Sequence, residues 1–123
     1  MTKASKRAQR EAENAKANEK HDIDLGDGHW LDFTSWNPDR ELNPQFAHLP
    51  DVEKFGALVG HFKPDGKTPC MASITFDGEV QRQIVRQWAM WNVKCWDPLH
   101  LEPSLKCSCG DHGFIRGGKW VRD

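Results

Sequence analysis

Several features that are common in proteins are scarce or missing from this chain of 123 residues. It has no tyrosine, and no apolar run approaches the roughly 18 residues that are needed to span a bilayer. The N-terminus also lacks the apolar segment of a secretory signal peptide. These absences argue against a membrane or secreted protein, and we expect a cytoplasmic one.

The net charge is also close to zero. The chain has 17 Lys and Arg and 18 Asp and Glu, which gives a formal net charge of −1. A near-neutral chain is not typical of a dedicated nucleic-acid or membrane binder. The charge is uneven, however, since residues 1–21 hold six Lys and Arg against three Glu. We therefore predict that residues 1–22 form a basic tail, either flexible or a frayed helix. Residues of this tail that would contact nucleic acid are Lys3, Lys6, Arg7 and Arg10.

The remaining residues, 23–123, predict one small domain whose core is aromatic, since the chain has six Trp and six Phe. Residues 29–36 alternate as a strand does, and the apolar segments 57–62 and 70–76 are typical of buried strands. Residues 112–115 and 119–122 flank a glycine turn, which predicts a C-terminal β-hairpin.

One segment has helical periodicity. Val80, Ile84, Trp88 and Trp91 follow helical spacing, with Gln and Arg on the other side, so residues 79–91 predict an amphipathic helix. The predicted fold class is therefore α+β, mainly β, with one amphipathic helix and the C-terminal hairpin.

Cysteine is rare, with four residues in the chain, and two of the four are Cys107 and Cys109. Cytosolic thiols stay reduced, so such cysteines are better explained as metal ligands or free thiols than as disulfides. Zinc prefers tetrahedral sites of Cys sulfur and His nitrogen. Gly110 allows a sharp turn after Cys109, and His112 follows closely enough to join the same knuckle.

This knuckle needs a fourth ligand from elsewhere in the chain. The candidates are the two other cysteines and two histidines: Cys70, Cys95, His61 and His100. Cys70 is favoured because it begins a strand at the edge of a loop. The predicted ligands of a structural zinc ion are therefore Cys70, Cys107, Cys109 and His112. Such a site would link the middle of the domain to its C-terminal hairpin and stabilise a small core.

Two other interpretations of the cysteines stay open. They are either ordinary small apolar residues of the core or a redox or disulfide pair.

No P-loop, G-x-S-x-G or H-E-x-x-H motif is present, so we predict a protein without enzymatic activity. The enzymatic alternative is a metal-dependent hydrolase or nuclease, which requires an open zinc position and an acid such as Asp111 or Glu102. A third alternative is nucleic-acid binding through the basic tail and exposed tryptophans.

Two segments, "CMASITFDG" and "WDPLHLEPSLKCSCGDHGFIRGGKWV", resemble a family of small uncharacterised proteins of actinobacterial phages and their hosts. The similarity covers residues 57–122, and its most specific part is 103–120. The shared pattern is Pro-Ser-Leu, then a Cys-rich knuckle ending in C-G-x-H-G, then G-x-W. Family members often have two residues between the paired cysteines, where this chain has Ser108 alone.

The resemblance implies metal binding through Cys107, Cys109 and His112, and it favours Cys70 over Cys95 as the fourth ligand. It also implies a phage accessory protein that acts in the host cytoplasm. Such a protein would bind a host or phage macromolecule, and a protein partner is the favoured class.

Overall fold

The computed structural model describes residues 21–62, 66–85 and 89–123, and these residues are mostly β-strand. Strands account for 55% of them and helical turns for 9%. The described strands are β1 (Ile23–Gly26), β2 (His29–Trp36), β3 (Val52–Phe62), β4 (Pro69–Phe76), β5 (Met90–Trp96), β6 (Leu99–Glu102), β7 (Leu105–Lys106), β8 (His112–Arg116) and β9 (Lys119–Arg122). One short helix, α1 (Glu79–Ile84), and one 3₁₀ turn (Pro44–Phe46) complete the described elements.

Strands β1 to β6 form the first sheet, in the order of the sequence. Neighbouring strands are antiparallel, except that β4 and β5 run parallel. A parallel pair needs a crossover between its strands, and this is the segment that contains α1. The long strands β2, β3 and β4 form the centre of this sheet and, as shown below, carry much of the candidate site.

Strands β7, β8 and β9 form a second, antiparallel sheet that lies against both edges of the first. Strand β6 packs beside β8, and β1 packs beside β9. The backbone N–H of Gly118, in the turn before β9, donates to the carbonyl of Leu99 in β6 at 2.9 Å. The second sheet thus covers edges of the first that would otherwise present unpaired backbone groups.

The core fills the space between the two sheets and draws on every described strand. Ile74 and Phe76 of β4, and Leu99 and Leu101 of β6, are buried two residues apart, as expected for side chains on one face of a strand. Other buried core residues are Leu25, Leu31, Ala57, Val59, Leu105, Ile115 and Trp120. Within the described residues no helix is long and apolar enough to cross a membrane.

The predicted fold class, α+β with one amphipathic helix, is wrong. The described residues form two β-sheets with one helix of six residues, which ends at Ile84. The buried residue of α1 is Gln81, whose side-chain Nε2 donates to the carbonyl of Phe55 at 3.2 Å. Trp88, which the prediction placed on the apolar face of this helix, lies outside the described residues.

The physical reason for this error lies in β5, which the helix prediction overlapped at its C-terminal end. Trp91 pairs with Phe76 across the parallel ladder between β4 and β5. Half-buried Trp91 and Val93 alternate with exposed Asn92 and Lys94, which is the period of a strand. Pairing with β4 and burial against the core therefore prevail over the local helical spacing.

The strand predictions are confirmed. Residues 29–36 are β2, residues 57–62 are the second half of β3, and residues 70–76 fall within β4. The C-terminal hairpin is confirmed in part, because β8 and β9 pair as expected but belong to a three-stranded sheet with β7. Most of the predicted basic tail, residues 1–20, lies outside the described residues.

Candidate metal centre

A row of three side chains that are able to bind a metal lies at one end of strands β2, β3 and β4. His29 of β2 lies opposite His61 of β3, and His61 lies opposite Cys70 of β4. Directly paired residues of antiparallel strands point to the same face of the sheet, with Cβ atoms about 4.5–5.5 Å apart. The rings of His29 and His61 are stacked, with centroids 4.9 Å apart. The register of β2, β3 and β4 thus brings two imidazoles and a thiol together.

The loop between β7 and β8 covers this row with further potential ligands. The backbone N–H of Cys107 donates to the carbonyl of Asp111 at 2.7 Å, and the N–H of Gly110 donates to the carbonyl of Cys107 at 2.9 Å. Gly110 has a φ of 97°, which is the left-handed region predicted for the turn. The loop therefore folds back on itself and directs Cys107 and Cys109 toward β3 and β4.

Three thiols and one imidazole converge between the loop and the sheet; we name Cys70, Cys107, Cys109 and His61 the thiol cluster. Their potential ligand atoms all lie within 4.8 Å of one another, so the group can hold a metal ion. The Cys70 and Cys107 sulfurs are 2.9 Å apart, and the Cys109 sulfur is 3.4 Å from Nε2 of His61. With Zn–S bonds of about 2.3 Å, the sulfurs of a tetrahedral site are about 3.8 Å apart. Small side-chain movements therefore suffice to admit an ion.

Even without a metal, the pKa values of the paired thiols favour ionisation of Cys107 over Cys70. Burial opposes ionisation of Cys107, but hydrogen bonds from the Cys109 backbone N–H, the Cys70 thiol and His61 outweigh it and lower the Cys107 pKa from 9.0 to about 6. The hydrogen bond with Cys107 and burial raise the Cys70 pKa to about 11. Cys107 is therefore the anionic partner of the pair, and a thiolate is the form of cysteine that binds metals.

His61 is oriented for metal binding by its own backbone surroundings. Its Nδ1 lies 3.1 Å from the carbonyl of Phe62, to which it can donate a hydrogen bond. When an ion is bound, that bond can hold the ring proton on Nδ1, so that the lone pair of Nε2 is free for the metal; without an ion, a proton on Nε2 can instead donate to the Cys107 thiolate. Metal-binding histidines in proteins usually have such a partner for the second ring nitrogen.

His61 also belongs to a second group; we name His29, His61 and Asp111 the histidine–aspartate cluster. Their potential ligand atoms again lie within 4.8 Å of one another. Nε2 of His29 is 2.5 Å from Oδ2 of Asp111, and Nε2 of His61 is 3.8 Å from the same oxygen. His29 is 3% exposed, and its Nδ1 contacts the carbonyl of Asp27 at 2.7 Å.

A pocket of about 520 Å³ opens beside the two clusters. His29, His61, Cys109 and Asp111 line it, together with Asp27, Phe62, Gly110, His112, Arg122 and Asp123. Cys109 is exposed, Cys107 is half-buried and Cys70 is buried, so the thiol cluster extends from the sheet to the surface. The histidine–aspartate cluster forms part of the wall of the pocket.

The structure brings together three of the four ligands predicted from the sequence: Cys70, Cys107 and Cys109. The fourth, His112, lies apart from them, with Nε2 2.8 Å from Oγ of Ser104 and Nδ1 3.0 Å from Asp123. In the thiol cluster, His61 stands where the prediction placed His112.

The remaining candidates lie elsewhere. Cys95 is exposed on β5, and His100 contacts Glu102 at 3.4 Å. The predicted nucleic-acid contacts Lys3, Lys6, Arg7 and Arg10 lie outside the described residues.

His29 was not among the site residues predicted from the sequence, and its position beside His61 and Asp111 is seen only in the fold. A partial signal was present for His61, because the predicted strands 57–62 and 70–76 form a hairpin with His61 and Cys70 near its turn. The direct pairing of these two residues depends on the register, since Phe62 pairs with Pro69. No comparable local signal connects His29 with Asp111, since 82 residues separate them.

Comparisons with protein-family models, with curated proteins and with solved structures found no match to this chain. The chemistry of the two clusters is therefore the remaining indication of function.

Proposed function

We propose that this protein is a small zinc-binding β protein in which the thiol cluster holds one structural Zn²⁺. The observation that carries the proposal is the convergence of three cysteine sulfurs and a histidine nitrogen within 4.8 Å. Three cysteines and one histidine are a common ligand set of structural zinc sites. Soft thiolate ligands also favour zinc over magnesium, calcium or manganese.

The position of the ligands supports a structural role for this zinc ion. His61 and Cys70 belong to the first sheet, whereas Cys107 and Cys109 belong to the loop that leads into β8 of the second. Four protein ligands complete a tetrahedral zinc site and leave no position for a water molecule. The ion would therefore join two parts of the fold and would not take part in catalysis.

The wider role that we propose is that of a non-enzymatic accessory protein that binds another protein. The resemblance of residues 57–122 to proteins of actinobacterial phages supports a phage origin and action in the host cytoplasm. The zinc site would serve this role by stabilising the surface that the partner contacts.

Native mass spectrometry of the full chain, purified without added metal, tests the zinc proposal. We expect one zinc ion per chain, loss of the ion on chelation and a lower melting temperature after chelation. Cys107→Ser should lose zinc, because it removes the ligand that is most readily ionised. Cys95→Ser is the matched control, since Cys95 is an exposed cysteine outside the cluster, and it should keep the ion.

Two results would count against the proposal. A folded, metal-free protein with four free thiols after incubation with zinc would show that the cysteines are ordinary residues. A mass lower by two hydrogens, with a peptide linking Cys70 to Cys107, would assign these thiols to a disulfide instead.

The choice between His61 and His112 has its own test, which compares His61→Gln with His112→Gln. We expect His61→Gln to weaken zinc binding by at least the 10- to 100-fold typical for loss of an outer-shell partner, since it removes a ligand itself. His112→Gln should leave the affinity unchanged, because His112 contacts Ser104 and Asp123. Competition with a chromophoric chelator measures both affinities, and the reverse order would restore His112 as the ligand.

A further inference from the structure

The histidine–aspartate cluster contains three atoms with lone pairs that face one another. The Nδ1 atoms of His29 and His61 contact the carbonyls of Asp27 and Phe62, at 2.7 and 3.1 Å. When each Nδ1 donates its proton to its carbonyl, a neutral ring presents the bare lone pair of Nε2. Both Nε2 atoms face Oδ2 of Asp111, at 2.5 and 3.8 Å.

Such an arrangement needs a positive charge between the facing atoms. A half-buried carboxylate oxygen and an imidazole lone pair repel each other unless a proton or a metal ion lies between them. A proton would make His29 and Asp111 an ordinary hydrogen-bonded pair that connects the loop to the sheet. That interpretation explains the short contact of His29. Nε2 of His61 lies 3.8 Å from the same oxygen and 3.4 Å from the Cys109 sulfur, so it is within reach of both clusters.

We propose that His29, His61 and Asp111 form a second metal site, which takes a first-row divalent ion such as Co²⁺, Ni²⁺, Fe²⁺ or Mn²⁺. Two imidazoles and one carboxylate are the ligand set of many mononuclear sites for such ions. Backbone carbonyls hold the second nitrogen of both rings, as is usual for metal-binding histidines. Three protein ligands leave coordination positions of the ion directed toward the pocket, where a small anion can reach it.

This second site shares one ligand atom with the thiol cluster, because each cluster needs Nε2 of His61. One lone pair cannot serve two ions, so an ion in one cluster weakens binding in the other. The competition between the two ions requires the zinc site proposed above, whereas the second site does not. The protein would then exist in two metal-bound forms that differ in the partner of His61.

Titration with Co²⁺ tests the proposal, because thiolate ligands give cobalt an intense charge-transfer band in the near ultraviolet and nitrogen and oxygen ligands do not. In Cys107→Ser, where the thiol cluster is disrupted, we expect one Co²⁺ with weak visible bands and no charge-transfer band. Adding His29→Gln to this variant should weaken binding by at least roughly tenfold.

Single variants complete the design. His29→Gln alone should bind Co²⁺ with the thiolate band only, whereas His61→Gln should weaken binding at both clusters. A folded Cys107→Ser protein that binds no Co²⁺, or whose binding His29→Gln leaves unchanged, would overturn the second site and reduce His29 and Asp111 to a structural pair.

If Cys107→Ser does not fold, the wild-type chain provides the test through Mn²⁺, which thiolates bind poorly. We expect Mn²⁺ to broaden the NMR signals of His29 and Asp111 in the metal-free wild type, and zinc to reduce this effect. If Mn²⁺ does not broaden the signals of these two residues, the second site is overturned. Broadening that zinc leaves unchanged would retain the site and contradict only the shared use of His61.

Discussion

Arg82 holds the carboxylate of Asp77 by two hydrogen bonds, Nε to Oδ1 at 2.7 Å and a terminal nitrogen to Oδ2 at 2.9 Å. This paired geometry favours the ionised carboxylate and lowers the pKa of Asp77 below its ordinary value of 3.8. The unfolded chain therefore binds the proton more readily than the folded protein does. The pair contributes stability above pH 3.8, and this contribution is lost as the pH falls through the lower pKa of the folded state.

We predict that Arg82→Gln raises the pKa of Asp77 toward 3.8 and makes the stability less dependent on pH in this acidic range. NMR titration of the side-chain carboxyl groups measures the pKa directly. Gln83→Ala is the control, since Gln83 bonds to the carbonyl of Glu79 and not to Asp77. An unchanged Asp77 pKa in Arg82→Gln would show that the pair does not persist in solution.

Single side chains also show how far the sequence predicts the candidate site. Cys107 and Cys109 were recognisable because two thiols in three residues are rare and stand beside a glycine that permits a turn. Cys70 followed from its place at the start of a strand. His61 was one of four candidates, because its selection depends on the register between β3 and β4. His29 could not be found, since its partner Asp111 is distant in the sequence and only the folded sheets bring them together.

Gly56 lets β3 and β4 approach closely at the point where it pairs with Thr75. A Cβ atom at Gly56 would lie 2.1 Å from the carbonyl oxygen of Ile74, which is backbone and cannot rotate away. The absence of a side chain at this position is thus required by the spacing of the two strands that carry His61 and Cys70.

We predict that Gly56→Ala lowers the free energy of unfolding by about 1–3 kcal/mol, the usual cost of overpacking. Urea unfolding followed by tryptophan fluorescence measures this change. Ser73→Ala, an exposed substitution on the neighbouring strand, should leave the midpoint nearly unchanged. Equal midpoints for Gly56→Ala and the wild type would mean that the strands separate at little cost.

The elements differ in how clearly the sequence marks them. Strands β2, β3 and β4 were predictable because alternating or continuous apolar residues lie between turn residues. The helix over 79–91 was not, because Val80, Ile84 and Trp91 match a helical period while Trp91 and Val93 also match that of a strand. A short apolar segment can match both periods, and here pairing with β4 makes the segment strand β5.

Across the whole molecule, the thiol cluster is a connection between the two sheets. Its ligands His61 and Cys70 lie on β3 and β4, and Cys107 and Cys109 lie in the loop between β7 and β8. The second sheet has short strands, so its packing against the first sheet supplies much of its stability. A metal ion that joins the sheets should therefore matter most to the smaller one.

We predict that chelation lowers the protection of backbone amides in β8 and β9 more than in β2 and β3. Hydrogen exchange with mass-spectrometric detection, on zinc-loaded and chelated protein, measures the difference between the sheets. The exposed-thiol variant Cys95→Ser should show the same pattern as the wild type. An equal loss of protection in both sheets would mean that the metal maintains the entire fold and is not specific to the junction.

The stacked rings of Trp120, His29 and His61 place one of the six tryptophans of the chain against the site. Trp120 lies on His29 with centroids 4.2 Å apart, and His29 lies on His61 at 4.9 Å. The chain has no tyrosine, so its ultraviolet emission comes from tryptophan. A proton or metal ion on His29 makes that imidazole electron-poor, and an electron-poor ring against an indole quenches its emission. Changes at the histidines can therefore be followed through the light that the unlabelled protein emits.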